Sequence, residues 1–172
     1  MPAAYVPVRV SARLHSVFFK ELSMIRHELS QWPLVISVSS GLQTLESMQA
    51  FTQDWNGWLD RGQPFASLRV FADADALVHP EGSAQSAKQW LQERGGDIRR
   101  HMMGMASVVP ADQYEKIRKM NVEKLFGVPA STFADTDDAL AWLSERVMAP
   151  RGLPFDLAAV RAAIRSAAAV VP

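Results

Sequence analysis

Cysteine is absent from all 172 residues, which excludes disulfides, thiolate zinc sites, iron–sulfur clusters and a cysteine nucleophile. Net charge is also absent, because 18 Lys+Arg balance 18 Asp+Glu. That balance removes any long-range pull toward nucleic acid and leaves only local patches. No stretch reaches the ~18 apolar residues that a membrane-spanning helix needs, and the most apolar tail, Ser166 to Val171, is far too short. No basic segment followed by an apolar run opens the chain, so a cytoplasmic protein without integral membrane association is expected. The sequence also has no Gly-x-Ser-x-Gly elbow, phosphate-binding P-loop, dinucleotide fingerprint or zincin pair, and no cofactor is expected. Asp135, Asp137 and Asp138 resemble a calcium loop only superficially, since the central glycine and terminal glutamate are missing.

What is present is enough apolar sequence (48%) for one core and a patterned order of elements. Val6 to Leu14 alternates apolar and polar residues, as a half-buried edge strand does. Met24–Glu28 and Leu34–Ser39 read as two strands around a Leu29–Pro33 hairpin connection, the second β-branched and interior. Leu45, Met48, Phe51, Trp55, Trp58 and Leu59 then share one helical face, with Thr44 as N-cap and Gly62 as stop. A strand from Phe65 to Phe71 leads to a helix capped by Ser83, which Gly95-Gly96 is expected to end or bend. Met103 to Val109 is the next strand, and Pro110 opens a helix running through Tyr114, Ile117 and Leu125. Ala130 to Ala134 is the last strand, and Asp135 caps a helix through Leu140, Leu143 and Val147. Such alternation predicts an α/β fold, a single domain with a mixed, mostly parallel sheet flanked by helices. Three segments follow: a strand extension over 1–23, a core over 24–148, and a linker with a helix over 149–172.

The order of elements, with Phe133-Ala134-Asp135 leading into Ala139-Leu140-Ala141-Trp142-Leu143, resembles the SpoIIAA-like, or STAS-like, domains over roughly residues 24–148. The resemblance implies a non-catalytic regulatory or interaction module that binds a protein partner or a lipid-like molecule. Regulatory members carry an Asp-Ser pair at the start of a central helix, where the serine is phosphorylated. Here Phe71 to Asp75 has no such pair, and Ser83 occupies the comparable helix start after a longer loop. A phosphate on Ser83 would sit well against a helix N-terminus. The same residue also reads as a plain N-cap.

Chemistry-bearing candidates are few. Asp73, Asp75 and His79 fall in one loop at the carboxyl end of a predicted interior strand, where α/β proteins bind ligands. They suit an acid–base site of a small enzyme, or a metal site; the bland alternative is a solvated acidic loop. Lys116, Arg118, Lys119 and Lys124 lie along one predicted helix, balanced by Asp112, Glu115 and Glu123, with Glu115 and Lys119 spaced as an i,i+4 pair. No aromatic residues interleave with them, so nucleic-acid binding is not expected.

Five tryptophans are the unusual feature of the composition. Trp55, Trp58 and Trp90, with Met102 and Met103, either pack helices onto the sheet or line a cleft for an apolar small molecule. Charge is unevenly spread: Met1 to His27 carries +3, and Thr44 to Glu81 carries −4. Opposite fields on one domain suit self-association, and an edge strand such as Val6 to Leu14 is most often covered in a two-fold homodimer.

Overall fold

The computed structural model describes residues 23–169, so the strand expected over Val6 to Leu14 lies outside the described residues. Among the described residues, five strands form one sheet in sequence order: β1 (Met24–Glu28), β2 (Leu34–Ser40), β3 (Phe65–Phe71), β4 (Met102–Val108) and β5 (Ala130–Phe133). β1 runs antiparallel to β2, as a hairpin requires, and β2 to β5 are mutually parallel. The result is a single α/β domain with a mixed sheet flanked by helices, as the alternation predicts.

Parallel neighbours in sequence order need a crossover each time, and right-handed crossovers place every connecting helix on the same face. α1 (Leu45–Asp60) joins β2 to β3, and α2 (Ser83–His101) joins β3 to β4. The β4–β5 crossover is made of two short pieces, α3 (Tyr114–Ile117) and α4 (Val122–Phe126). The far face is covered by the C-terminal elements, α5 (Thr136–Trp142) with its π-helical continuation Leu143–Met148, and α6 (Leu157–Ala168). α6 lies against β1 and β2 and contributes Val160, Ala163 and Ala167 to the core, with Leu157 left exposed. The Arg26 Nη1 donates to the Ala169 carbonyl at 2.6 Å, tying the end of α6 to the edge strand.

Local chemistry accounts for the helix boundaries. Thr44 and Ser47 cap α1 reciprocally, each hydroxyl accepting the other residue's amide at 3.0 Å, and Gly62 ends the segment with φ +66°. Asp135 and Asp156 accept the Asp138 and Ala159 amides at the starts of α5 and α6.

Three helix expectations are corrected. Gly82, with φ +84°, is the N-cap of α2, and Ser83 is its first helical residue and buried. α2 also continues unbroken through Gly95-Gly96 to His101. Two mid-helix glycines cost about 1 kcal/mol each against alanine, but Trp90 and Leu91 before them and fully buried Ile98 after them hold one apolar stripe against the sheet. The helix expected from Pro110 is interrupted between Ile117 and Val122, where the Asn121 side chain accepts the Lys124 amide at 3.0 Å and starts a new helix. The basic residues therefore do not share one helix, and Glu115 pairs with Arg118 at 2.8 Å instead of Lys119.

Candidate functional site

Because strand side chains alternate, directly paired residues on neighbouring strands stand in rows on one face of the sheet. One such row crosses all five strands: His27 faces Ser37, Ser37 faces Arg69, Arg69 faces Ser107 and Ser107 faces Thr132. Every member is polar. The row lies on the face covered by α1, α2 and the broken crossover, where sandwich-like burial would favour apolar residues.

Over β4 and β5 that cover is incomplete. Two helices of four and five residues cannot roof the sheet as α1 and α2 do, with 16 and 19 residues. A cavity of about 430 Å³ opens between them, within the usual size range of small-molecule sites. Its floor is the sheet near the carboxyl ends of the strands, with Ser39, Arg69, Phe71, Ser107 and Thr132. α1 supplies Met48, Phe51 and Trp55 to one wall, and α2 supplies Ala84 and Ala87. Ile117, Met120 and Leu125 form the opposite wall, and the last two are large apolar side chains left more than half exposed.

Arg69 is the charged group of this cavity. Its guanidinium carbon lies 5.2 Å from the Phe51 ring centre and 5.0 Å from that of Phe71, so it is held by ring faces. Among the described residues it makes no ion pair or hydrogen bond, and no carboxylate lines the cavity. Burial alone pulls its pKa down to about 10, which leaves it charged at neutral pH.

Beside Arg69 in the row is a hydroxyl–imidazole–carboxylate chain. The His27 Nδ1 is 2.8 Å from the Ser37 hydroxyl, and its Nε2 is 3.1 Å from an Asp54 oxygen. Burial lowers the His27 pKa, Asp54 opposes the shift, and Arg69 adds to it. The neutral ring therefore donates from Nε2 to Asp54 and accepts the Ser37 hydroxyl at Nδ1. The ring stacks on Phe51 at 5.1 Å and meets the Trp58 edge at 4.9 Å. Ser37 is 2% exposed on an interior strand and does not line the cavity, so no substrate reaches its oxygen. The chain fastens edge strand β1 to α1 through a satisfied polar network.

The five apolar ligand candidates do not converge. Trp55 lines the cavity; Trp58 is packed against His27 and Phe51, and Trp90 donates its indole N–H to Asn56 at 2.8 Å. Met102 and Met103 enter opposite cores. Adjacent strand residues point to opposite faces, and Met103 is also the extra residue of a bulge, since Phe65 faces Met102 while Ala66 faces Gly104.

The loop candidates are also separated. Asp73 accepts two contacts from the Gly41 amide, at 3.0 and 3.1 Å, and one from the Ala76 amide at 2.9 Å. It thus holds together the two loops that follow β2 and β3. Asp75 is exposed at the start of a short 3-10 turn, His79 sits at the cavity rim, and no hydrogen bond joins the three. Ser83 lines the cavity with its residue 5% exposed. Among the described residues, no group of three or more His, Asp or Glu side chains is placed to hold a metal ion, and no helix is long and apolar enough to cross a membrane.

The residues that sequence reasoning missed are Arg69, Ser107 and Thr132. A lone charged residue in a mostly apolar interior strand, Phe65-Ala-Ser-Leu-Arg-Val-Phe71, was the available signal. Comparison of the chain with protein-family models, with curated proteins and with solved structures finds no match.

Proposed function

We propose that this chain is a non-catalytic binding module of STAS-like, or SpoIIAA-like, topology that takes up an apolar small molecule or lipid-like ligand. The observation that carries this reading is the 430 Å³ cavity, walled by Met48, Phe51, Trp55, Ile117 and Leu125 above the sheet's carboxyl edge. Sequential β–α winding with all connecting helices on one face supports the topology. Apolar walls give the affinity, at roughly 0.8 kcal/mol per buried methylene, and the polar floor orients the ligand. The separation of Asp73, Asp75 and His79 supports a binding role over an acid–base one.

Native mass spectrometry and titration calorimetry with 1-decanol and decanoate test the proposal. The expected result is saturable uptake of at least one probe at one molecule per chain. Ala87→Trp, on the exposed surface of α2 beside the cavity, should abolish it while leaving the fold intact. Uptake of neither probe, or uptake unchanged by Ala87→Trp, would overturn it.

A further inference from the structure

We infer that the ligand is an amphipathic monocarboxylate, its carboxylate paired with Arg69 and its chain directed along Met48, Ile117 and Leu125. This rests on the binding role proposed above and adds the chemical class of the ligand.

Arg69 is half-buried, and a guanidinium drawn even partly out of water is favoured by a counter-charge that meets it. Here the described residues supply none: the guanidinium lies over the faces of Phe51 and Phe71, and the cavity lining contains no Asp or Glu. Ring faces satisfy part of the charge but none of the five N–H donors. Those donors form a planar fork that matches a carboxylate in a two-point contact. Ser39, Ser107 and Thr132 share the floor and bring hydroxyl donors for the remaining carboxylate lone pairs.

The charge of the ligand is limited by the same inventory. Among the described residues, Arg69 is the sole Arg or Lys lining the cavity, so a phosphate dianion would leave one charge uncompensated. The apolar walls then require the rest of the molecule to be hydrocarbon-like. Met120 and Leu125, both more than half exposed at the mouth, are covered once such a chain extends past them. The N-terminal residues 1–22 are a poor occupant beside Arg69, because they carry three basic residues and one acidic one.

Calorimetry at pH 8 with two matched series, n-alkanoates and n-alkanols from eight to twelve carbons, separates the possibilities. The expected result is that each alkanoate binds about ten- to a hundredfold tighter than the alcohol of equal length. Within each series, every added methylene should tighten binding about three- to fourfold. In Arg69→Met decanoate should bind no tighter than decanol does to the same variant, and Arg69→Lys should restore part of the difference. Equal binding of the two series, or a preference for alkanoates that survives Arg69→Met, would overturn the carboxylate assignment and leave the binding role standing. Failure of both series to bind would overturn the binding role itself.

Discussion

The two faces of the sheet are built from alternate residues of the same strands, yet they bury different chemistry. On the face under α5 and α6, β2 presents Leu34, Ile36 and Val38, and β3 presents Ala66, Leu68 and Val70. On the face under α1 and α2, the same strands present Ser37 and Ser39, then Ser67, Arg69 and Phe71. The first face is closed by Leu140, Leu143 and Val147, which are at most 1% exposed. The second combines an aromatic cluster of Phe51, Trp55, Trp58 and Phe65 with polar groups that find no partner among the described residues, including the buried Ser67 hydroxyl. A closed apolar layer gives stability, while orphaned polar groups reduce it and are typical of sites shaped for a ligand.

The largest effect of substitution should therefore fall on the closed face. Leu143→Ala removes a fully buried side chain and should cost about 2–5 kcal/mol in urea unfolding. A loss below 1 kcal/mol would show that this face is not the tighter one. Gly104→Ala comes next, because an added Cβ would lie 2.7 Å from a Val147 methyl, a clash worth roughly 1–3 kcal/mol. Combining it with Val147→Ala should recover part of that loss, and a strictly additive double variant would contradict the contact.

On the open face the sign should reverse. Arg69→Met keeps the stem and removes a charge that no described residue compensates, so stability should rise by roughly 0.5–2 kcal/mol as ligand selectivity is lost. A lower unfolding midpoint would show that Arg69 is structural.

The smallest effect is a pH dependence. Burial holds the His27 pKa below its ordinary value of 6.5, so the folded state binds a proton less readily than the unfolded chain. The contribution is complete above pH 6.5 and is lost as pH falls through the lower folded-state value. Urea midpoints should thus drop between pH 7.5 and 5.5, and His27→Gln should flatten the slope. Glu28, held low by the Ser30 amide, titrates below 4.5 and stays outside this window. An unchanged slope in His27→Gln would assign the dependence elsewhere.

Much of the fold was legible because it rests on local periodicity. All five described strands and the caps Thr44 and Asp135 lie where side-chain pattern and chemistry put them. Local signals failed where tertiary packing outweighed propensity. Gly95-Gly96 reads as a break but is carried by Ile98, and the segment after Pro110 reads as one helix but is divided at Asn121. That division also hid the cavity, since an unbroken helix would have roofed it.

The candidate site was less legible. Tryptophan and methionine content pointed to apolar surface, and Trp55 does line the cavity. Yet Met102 and Met103, adjacent on one strand, point to opposite faces by the ordinary alternation of a strand and so cannot line one cleft. His27, Ser37, Arg69, Ser107 and Thr132 are spread over more than 100 positions of sequence and meet only because strand register aligns them.

The sequence by itself determined the element types, most of their boundaries, the single α/β core and the absence of thiol chemistry. Those follow from side-chain periodicity, capping groups and composition, all of which act over a few residues. Tertiary structure alone decided the polar row, the lack of a carboxylate partner for Arg69 among the described residues, and the cavity around it. Register and helix cover join residues far apart in the chain, and whether a cation is paired depends on which of them come within a few ångströms.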